Sequence, residues 1–152
     1  WLNSLWVVTV IMWSIFTWWG LWMLSIELID WTYAQYWFLV MNVSSIYFFT
    51  TLVLPKATDE GIIDLEVHYY SVHKAFFSIV AFSLFTTVAV NYSLFGKPMI
   101  SDMTIMPFIV GCAAVGAVFT ESRLYHKIIG VFMFVMFIAF QLSDVVVISY
   151  TP

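Results

Sequence analysis

Charge is the scarcest property of this sequence. Only 9% of its 152 residues are Asp, Glu, Lys or Arg, against 63% hydrophobic and 20% aromatic. A water-soluble domain carries about a quarter charged residues. A chain this poor in charge cannot cover its own surface in water, and a mean hydropathy of +0.98 points the same way. Lipid is the solvent these proportions require. Positive charge is scarcer still: five Lys and Arg against nine Asp and Glu leave a net charge of −4, which does not suggest nucleic acid, whose binding calls for a basic face. Cysteine occurs once, at Cys112, so neither an internal disulfide nor a cysteine-based metal cluster is available. Set in an apolar run, Cys112 reads as a small packing residue. Glycine numbers six and proline four, and no glycine loop of the phosphate-cradling kind occurs. The chain opens at Trp1 without an initiator methionine, which reads as processing or trimming. Its first residues show neither a basic leader nor a small-residue cleavage site, so Trp1–Leu24 is expected to be a retained span rather than a secretory signal.

Long apolar runs stand where charge does not. A helix needs about 20 apolar residues to cross the roughly 30 Å hydrocarbon layer. Five segments qualify: 1–24, 36–54, 76–94, 105–119 and 128–150, the fourth borrowing a turn from its flanks. The runs are continuous rather than alternating, which predicts helices and not barrel strands. The expected fold is all-α, a polytopic transmembrane bundle forming one domain over 1–152. Lys56, Lys74, Arg123 and Lys127 fall in loops on one side, against Lys97 on the other. The positive-inside rule makes the side of loops 55–75 and 120–127 cytoplasmic. Trp18, Trp19 and Trp22, followed by Trp31 and Trp37, then mark the outer interface as an anchor belt.

The longest break in the apolar pattern, Leu54 to Phe77, is where recognition or chemistry is first sought. Pro55 ends the second span, Asp59-Glu60-Gly61 makes a turn, and Asp64 is placed to cap a new helix. Leu65, Tyr69, Val72 and Phe76 form that helix's apolar stripe. It runs on into the third span, predicting one helix from about Asp64 to about Leu94, roughly 45 Å long. Its first turns project into the cytoplasmic headgroup region. There Glu66, Tyr70 and His73 line up at i, i+4 and i+7 with Phe77 below them, His68 faces another way, and Lys74 can snorkel to lipid phosphates.

Candidate chemistry is sparse. Glu27 and Asp30 share a helical face at the outer interface, where they read as solvated carboxylates. Within the spans the polar groups are Asn42, Asn91, Gln141 and Asp144. Asn42 is expected to bond a neighbouring helix, and Asp144, an acid in an apolar run, raises proton or ion coupling. In the fourth span, with Pro107 in its first turn, Gly111, Cys112, Ala113, Gly116 and Ala117 supply small-xxx-small pairs for close helix approach. Glu66, His68, His73, Glu121 and His126 are all expected on the cytoplasmic side and have the groups a transition metal takes. However, His68 and His73 are five apart and no His-x-x-x-His or Glu-x-x-His pair occurs, so no metal is expected. No cofactor is expected either: the histidines lie too near the interface for haem, and no hydrolase nucleophile motif is present.

With these residues laid out, the chain resembles a family of small, uncharacterised bacterial multi-pass membrane proteins of roughly six helices. The resemblance covers most of the chain. It rests on Trp18-Trp19-Gly20-Leu21-Trp22, Trp31-Thr32, the Leu54-Pro55 exit, and an acidic-glycine turn leading into Ile63-Asp64-Leu65-Glu66, His68-Tyr69-Tyr70 and Phe76-Phe77. His73 departs from the arginine that members carry near that position. The resemblance implies a bacterial inner (plasma) membrane location and a span ahead of Trp1. The family carries no assigned activity, so topology is all that it implies.

Two functions fit. The first is a non-catalytic accessory or scaffolding subunit that docks other membrane subunits, or a second copy of itself, through loop 55–75, using Asp64, Glu66, His68, Tyr70, His73 and Lys74. The second is a small proton- or ion-coupled transporter or channel using Asp144 and Gln141. It is the weaker reading, because its polar groups are scattered in depth and five spans give no inverted repeat.

Overall fold

The computed structural model describes residues 2–27, 32–54, 64–93, 96 and 98–148. Among them are five helices and no strand: α1 (Leu2–Glu27), α2 (Tyr33–Val53), α3 (Leu65–Ser93), α4 (Asp102–Phe119) and α5 (Arg123–Ile148). Pro55 and the Asp59-Glu60-Gly61 turn lie outside the described residues, as do Asp30 and Trp31.

Local chemistry sets the helix starts. Asp64 caps α3 as expected, its Oδ1 accepting from the backbone N–H groups of Glu66 (2.9 Å) and Val67 (3.2 Å). α2 starts ahead of its apolar run because Thr32 and Gln35 form a capping box. The Thr32 hydroxyl accepts from the Gln35 N–H at 3.3 Å, and Gln35 Oε1 accepts from the Thr32 N–H at 2.9 Å. The two orphan donors of that first turn are thereby satisfied. α1 extends past Leu24 to take in Glu27. α4 does gain a turn at its start, which moves Pro107 from the expected first turn into the second; there it withholds an N–H from the helix ladder. The expected connection Glu121–Lys127 shortens to residues 120–122, since α5 begins at Arg123.

α2 and α3 are long and apolar enough to cross a membrane; the apolar stretches Ser4–Ile15 and Thr104–Phe119 are shorter. α3 is the hub. It packs along α4 and α2 and touches α1, while α1 also meets α2 and α5. Three kinds of seam hold α3 to its neighbours. Between α3 and α4 the contact is small against aromatic: Gly111, Ala114 and Ala117 are buried, and a Cβ on Gly111 would stand 3.1 Å from the Phe85 ring. Tyr125 covers Ala113 and Gly116 instead, its hydroxyl donating to the Ala113 carbonyl at 2.8 Å. Cys112 is exposed, so it is not the packing residue its apolar surroundings suggested.

Between α2 and α3 the seam is polar, with Asn42 Nδ2 donating to Thr87 Oγ1 at 3.2 Å and the Ser45 and Ser83 hydroxyls bonded at 2.9 Å. The expectation that Asn42 bonds a neighbouring helix therefore holds. The third seam, between α3 and α5, is made by side chains alone: among the described residues no Cα of one comes within 8 Å of a Cα of the other.

Overpacking a tight helix contact costs about 1–3 kcal/mol. Gly111→Leu should therefore lower thermal stability in detergent by that order, while Cys112→Leu, on the exposed face, should stay within about 0.5 kcal/mol of the parent. Equal melting temperatures for the two variants would contradict the α3–α4 packing.

Candidate functional site

The first turns of α3 and α5 lie at the same end of the bundle, and most ionisable side chains of the described chain converge there. On the rim, Arg123 Nη2 meets Glu66 Oε1 at 2.8 Å and Lys74 Nζ meets Glu121 Oε1 at 3.7 Å. Both pairs are exposed and contribute at most about 1 kcal/mol each.

Beneath this rim is a closed aromatic cluster. His126 is fully buried and His73 is 3% exposed. Their rings stand edge to face with centroids 5.3 Å apart, and Tyr70 completes a triangle at 5.8 Å from His73 and 5.7 Å from His126. Tyr69 and Phe77 flank His126 at 5.5 and 5.4 Å. Trp6 of α1 closes the floor against Phe76 and Phe77, at 5.3 and 5.0 Å.

Hydrogen-bond partners fix the protons. His126 Nε2 lies 2.8 Å from the Thr120 carbonyl oxygen, which can only accept. Nε2 therefore carries the proton, and the bare Nδ1 accepts from the Tyr69 hydroxyl at 2.9 Å. Both nitrogens of a neutral imidazole are satisfied. Burial pushes His126 below the ordinary histidine value of 6.5; the Thr120 bond opposes the fall and His73 adds to it. His73 directs Nδ1–H to the Tyr70 carbonyl at 2.6 Å. Its Nε2 is then a bare acceptor, and neither it nor the buried Tyr70 hydroxyl has a hydrogen-bond partner.

The stripe Glu66, Tyr70, His73 and Phe77 is thus real, and what it faces is the start of α5 in the same chain. Of the constellation expected on the cytoplasmic side, Glu66, His73, Glu121 and His126 meet along this seam. His68 turns to α2, where Nε2 bonds the Leu52 carbonyl at 3.1 Å. Asp64 is used as a cap. His73 and His126 are enclosed by helices rather than standing on the outer surface of the bundle. Among the described residues no three His, Cys, Asp or Glu side chains converge as metal ligands.

Away from this end, Asn91 is half-buried on α3, and Gln141 and Asp144 lie on α5 with side chains outside the described set. A shallow groove between α1 and α2 is lined by Ser14, Thr17, Trp18, Val43 and Ile46. The Ser14 and Thr17 hydroxyls bond the Val10 and Trp13 carbonyls of their own helix, which leaves the groove without a free polar group from those two residues. Tyr69 is the member of the cluster that sequence reasoning missed: as part of an apolar stripe, its ring was legible and its hydroxyl was not. No protein-family profile matches the chain, nor does any characterised protein or solved structure.

The fold holds His126 neutral, whereas the unfolded chain binds its proton at about 6.5. Stability from this group is complete above that pH and is lost as pH falls toward the lower folded value. Melting temperature in detergent should therefore be level above pH 7 and decline below about 6.5, less steeply in His126→Phe. Tyr69→Phe, which strands a buried acceptor, should cost about 1–3 kcal/mol at pH 8. A His126→Phe profile superimposable on the parent's would contradict a neutral, buried imidazole.

Proposed function

We propose that this chain is a multi-pass bacterial inner-membrane protein with no chemistry of its own, an accessory subunit that docks another membrane subunit through its cytoplasmic end. The supporting observation is an inverted order of side chains. Trp18 is 71% exposed and Phe119 84%, while Ser45, Ser83, His73 and His126 are buried. Water would penalise that outer surface, and lipid solvates it. The helices run from 18 to 29 residues, about 27 to 44 Å at 1.5 Å per residue, which suits five crossings. Loops 55–75 and 120–127 then share the cytoplasmic side.

Docking through 55–75 is best served by what that end leaves outward. Glu66 and Lys74 are occupied by Arg123 and Glu121, and His73 is buried. Leu65 and Val67 of α3 and Leu124 of α5 remain exposed, apolar side chains at the same end as the rim of paired charges. The transporter reading rests on Gln141 and Asp144, and Asn42, one of the amides it would enlist, is spent on Thr87.

Alkaline carbonate washing should leave the chain in the membrane fraction, and its release would sink the five-span reading. The pair Val67→Ser and Leu124→Ser should insert normally yet lose the membrane proteins that co-purify with the parent in mild detergent. The same co-purifying set from both proteins would end the docking reading.

A further inference from the structure

We propose that the buried pair His73 and His126 is a proton-binding site whose loading opens the seam between the first turns of α3 and α5. Three observations carry this. First, the cluster has one vacant lone pair placed to receive a proton. His126 already uses both nitrogens, donating to Thr120 and accepting from Tyr69, so protonating its Nδ1 expels the Tyr69 hydroxyl. His73 Nε2 is buried and unpaired, as is the Tyr70 hydroxyl, and a proton added to that nitrogen breaks no existing bond.

Second, nothing inside the cluster can neutralise the imidazolium. From α3 itself come Tyr69, Tyr70 and, at the rim, Glu66 and Lys74; His68 is turned to Leu52. From the α4–α5 turn and α5 come Glu121, Arg123, Tyr125, His126 and Lys127. Both carboxylates sit outside on their cationic partners, and Tyr125 is committed to Ala113. α1 presents Trp6, and α4 ends in Thr120, neither of them ionisable. His126 also stands in the first turn of α5, where the helix dipole opposes a second positive charge. The Tyr70 hydroxyl and the ring faces offer an imidazolium partial relief but no counter-charge; water or a rim carboxylate reaches it when the two helix ends part.

Third, the seam is built to part. Among the described residues no Cα of α3 lies within 8 Å of a Cα of α5, so long side chains span the seam, and its ion pairs are exposed and weak. The α3–α4 seam, closed by glycine and alanine against aromatic rings, has no such slack. The proton enters, His73 becomes charged, and the Tyr69–His126 bond yields while α3 stays on α4.

The test uses spin labels on Val67→Cys and Leu124→Cys, exposed positions on either side of the seam, in a Cys112→Ser background reconstituted in lipid. At pH 8 the label distance should be single and short. As the pH is lowered from 8 to 5 a longer population should grow, its ratio to the short one rising by up to tenfold per pH unit as one-proton linkage allows. His73→Phe should hold the short distance down to pH 5. No longer population in the parent, or the same growth in His73→Phe, overturns the proposal. Should His73→Phe not give the pH 8 distance, His73→Gln replaces it. Independently, the 15N resonance of His73 Nε2 in the parent must titrate with the midpoint of the distance change; a different midpoint also overturns it.

Discussion

The hydrogen bond from Tyr69 to His126 joins residues 57 positions apart across two helices whose backbones keep their distance. Its strength comes from where it lies. Enclosed by Trp6, Phe76 and Phe77, it has no water to compete with, and both partners are neutral, so neither bears the desolvation penalty of an ion. The charged pairs Glu66–Arg123 and Lys74–Glu121 occupy the complementary place at the wet rim. Exchanging the two sets would bury four charges and expose a bond that water could replace. The fold of this end of the molecule follows from that division.

The remaining seams obey the same constraint with different means. Where α2 meets α3, serine, threonine and asparagine satisfy one another or their own helix carbonyls, so polar atoms enter an apolar environment already paired. Where α3 meets α4, no polar side chain is needed, because glycine and alanine let the helices come close enough for dispersion to hold them. Rigidity therefore differs across the bundle. The side of α3 against α4 is close-packed, and the side toward α5 depends on a few long side chains and on the protonation of two rings.

Much of this was written plainly in the chain. Asp64 as a cap, the length of α3 and the bond from Asn42 to a neighbouring helix follow from local chemistry, and so does the alignment of Glu66, Tyr70, His73 and Phe77. Local rules could say that these four share a face. They could not say that the face meets α5, because that depends on how Arg123–Lys127 continues. Those five residues are polar enough to resemble a loop, yet they are helical, held by Tyr125 on Ala113 and His126 on Thr120 and Tyr69. Cys112 was misplaced for a related reason: one helical step, about 100°, separates the inward Gly111 from the outward cysteine, and both are small. The Thr32–Gln35 box is legible as a Thr-x-x-Gln spacing.

The pairing of α1 with α5 bears on how such a chain is made. α1 leaves the ribosome before α5, so the indole of Trp6, which ends against Gly130 and the two phenylalanines of α3, waits for its α5 neighbour while α2, α3 and α4 are made. Until α5 arrives, that surface lacks its final cover. Errors of assembly should therefore gather at this late closure rather than along α2, α3 and α4, which meet in the order in which they emerge.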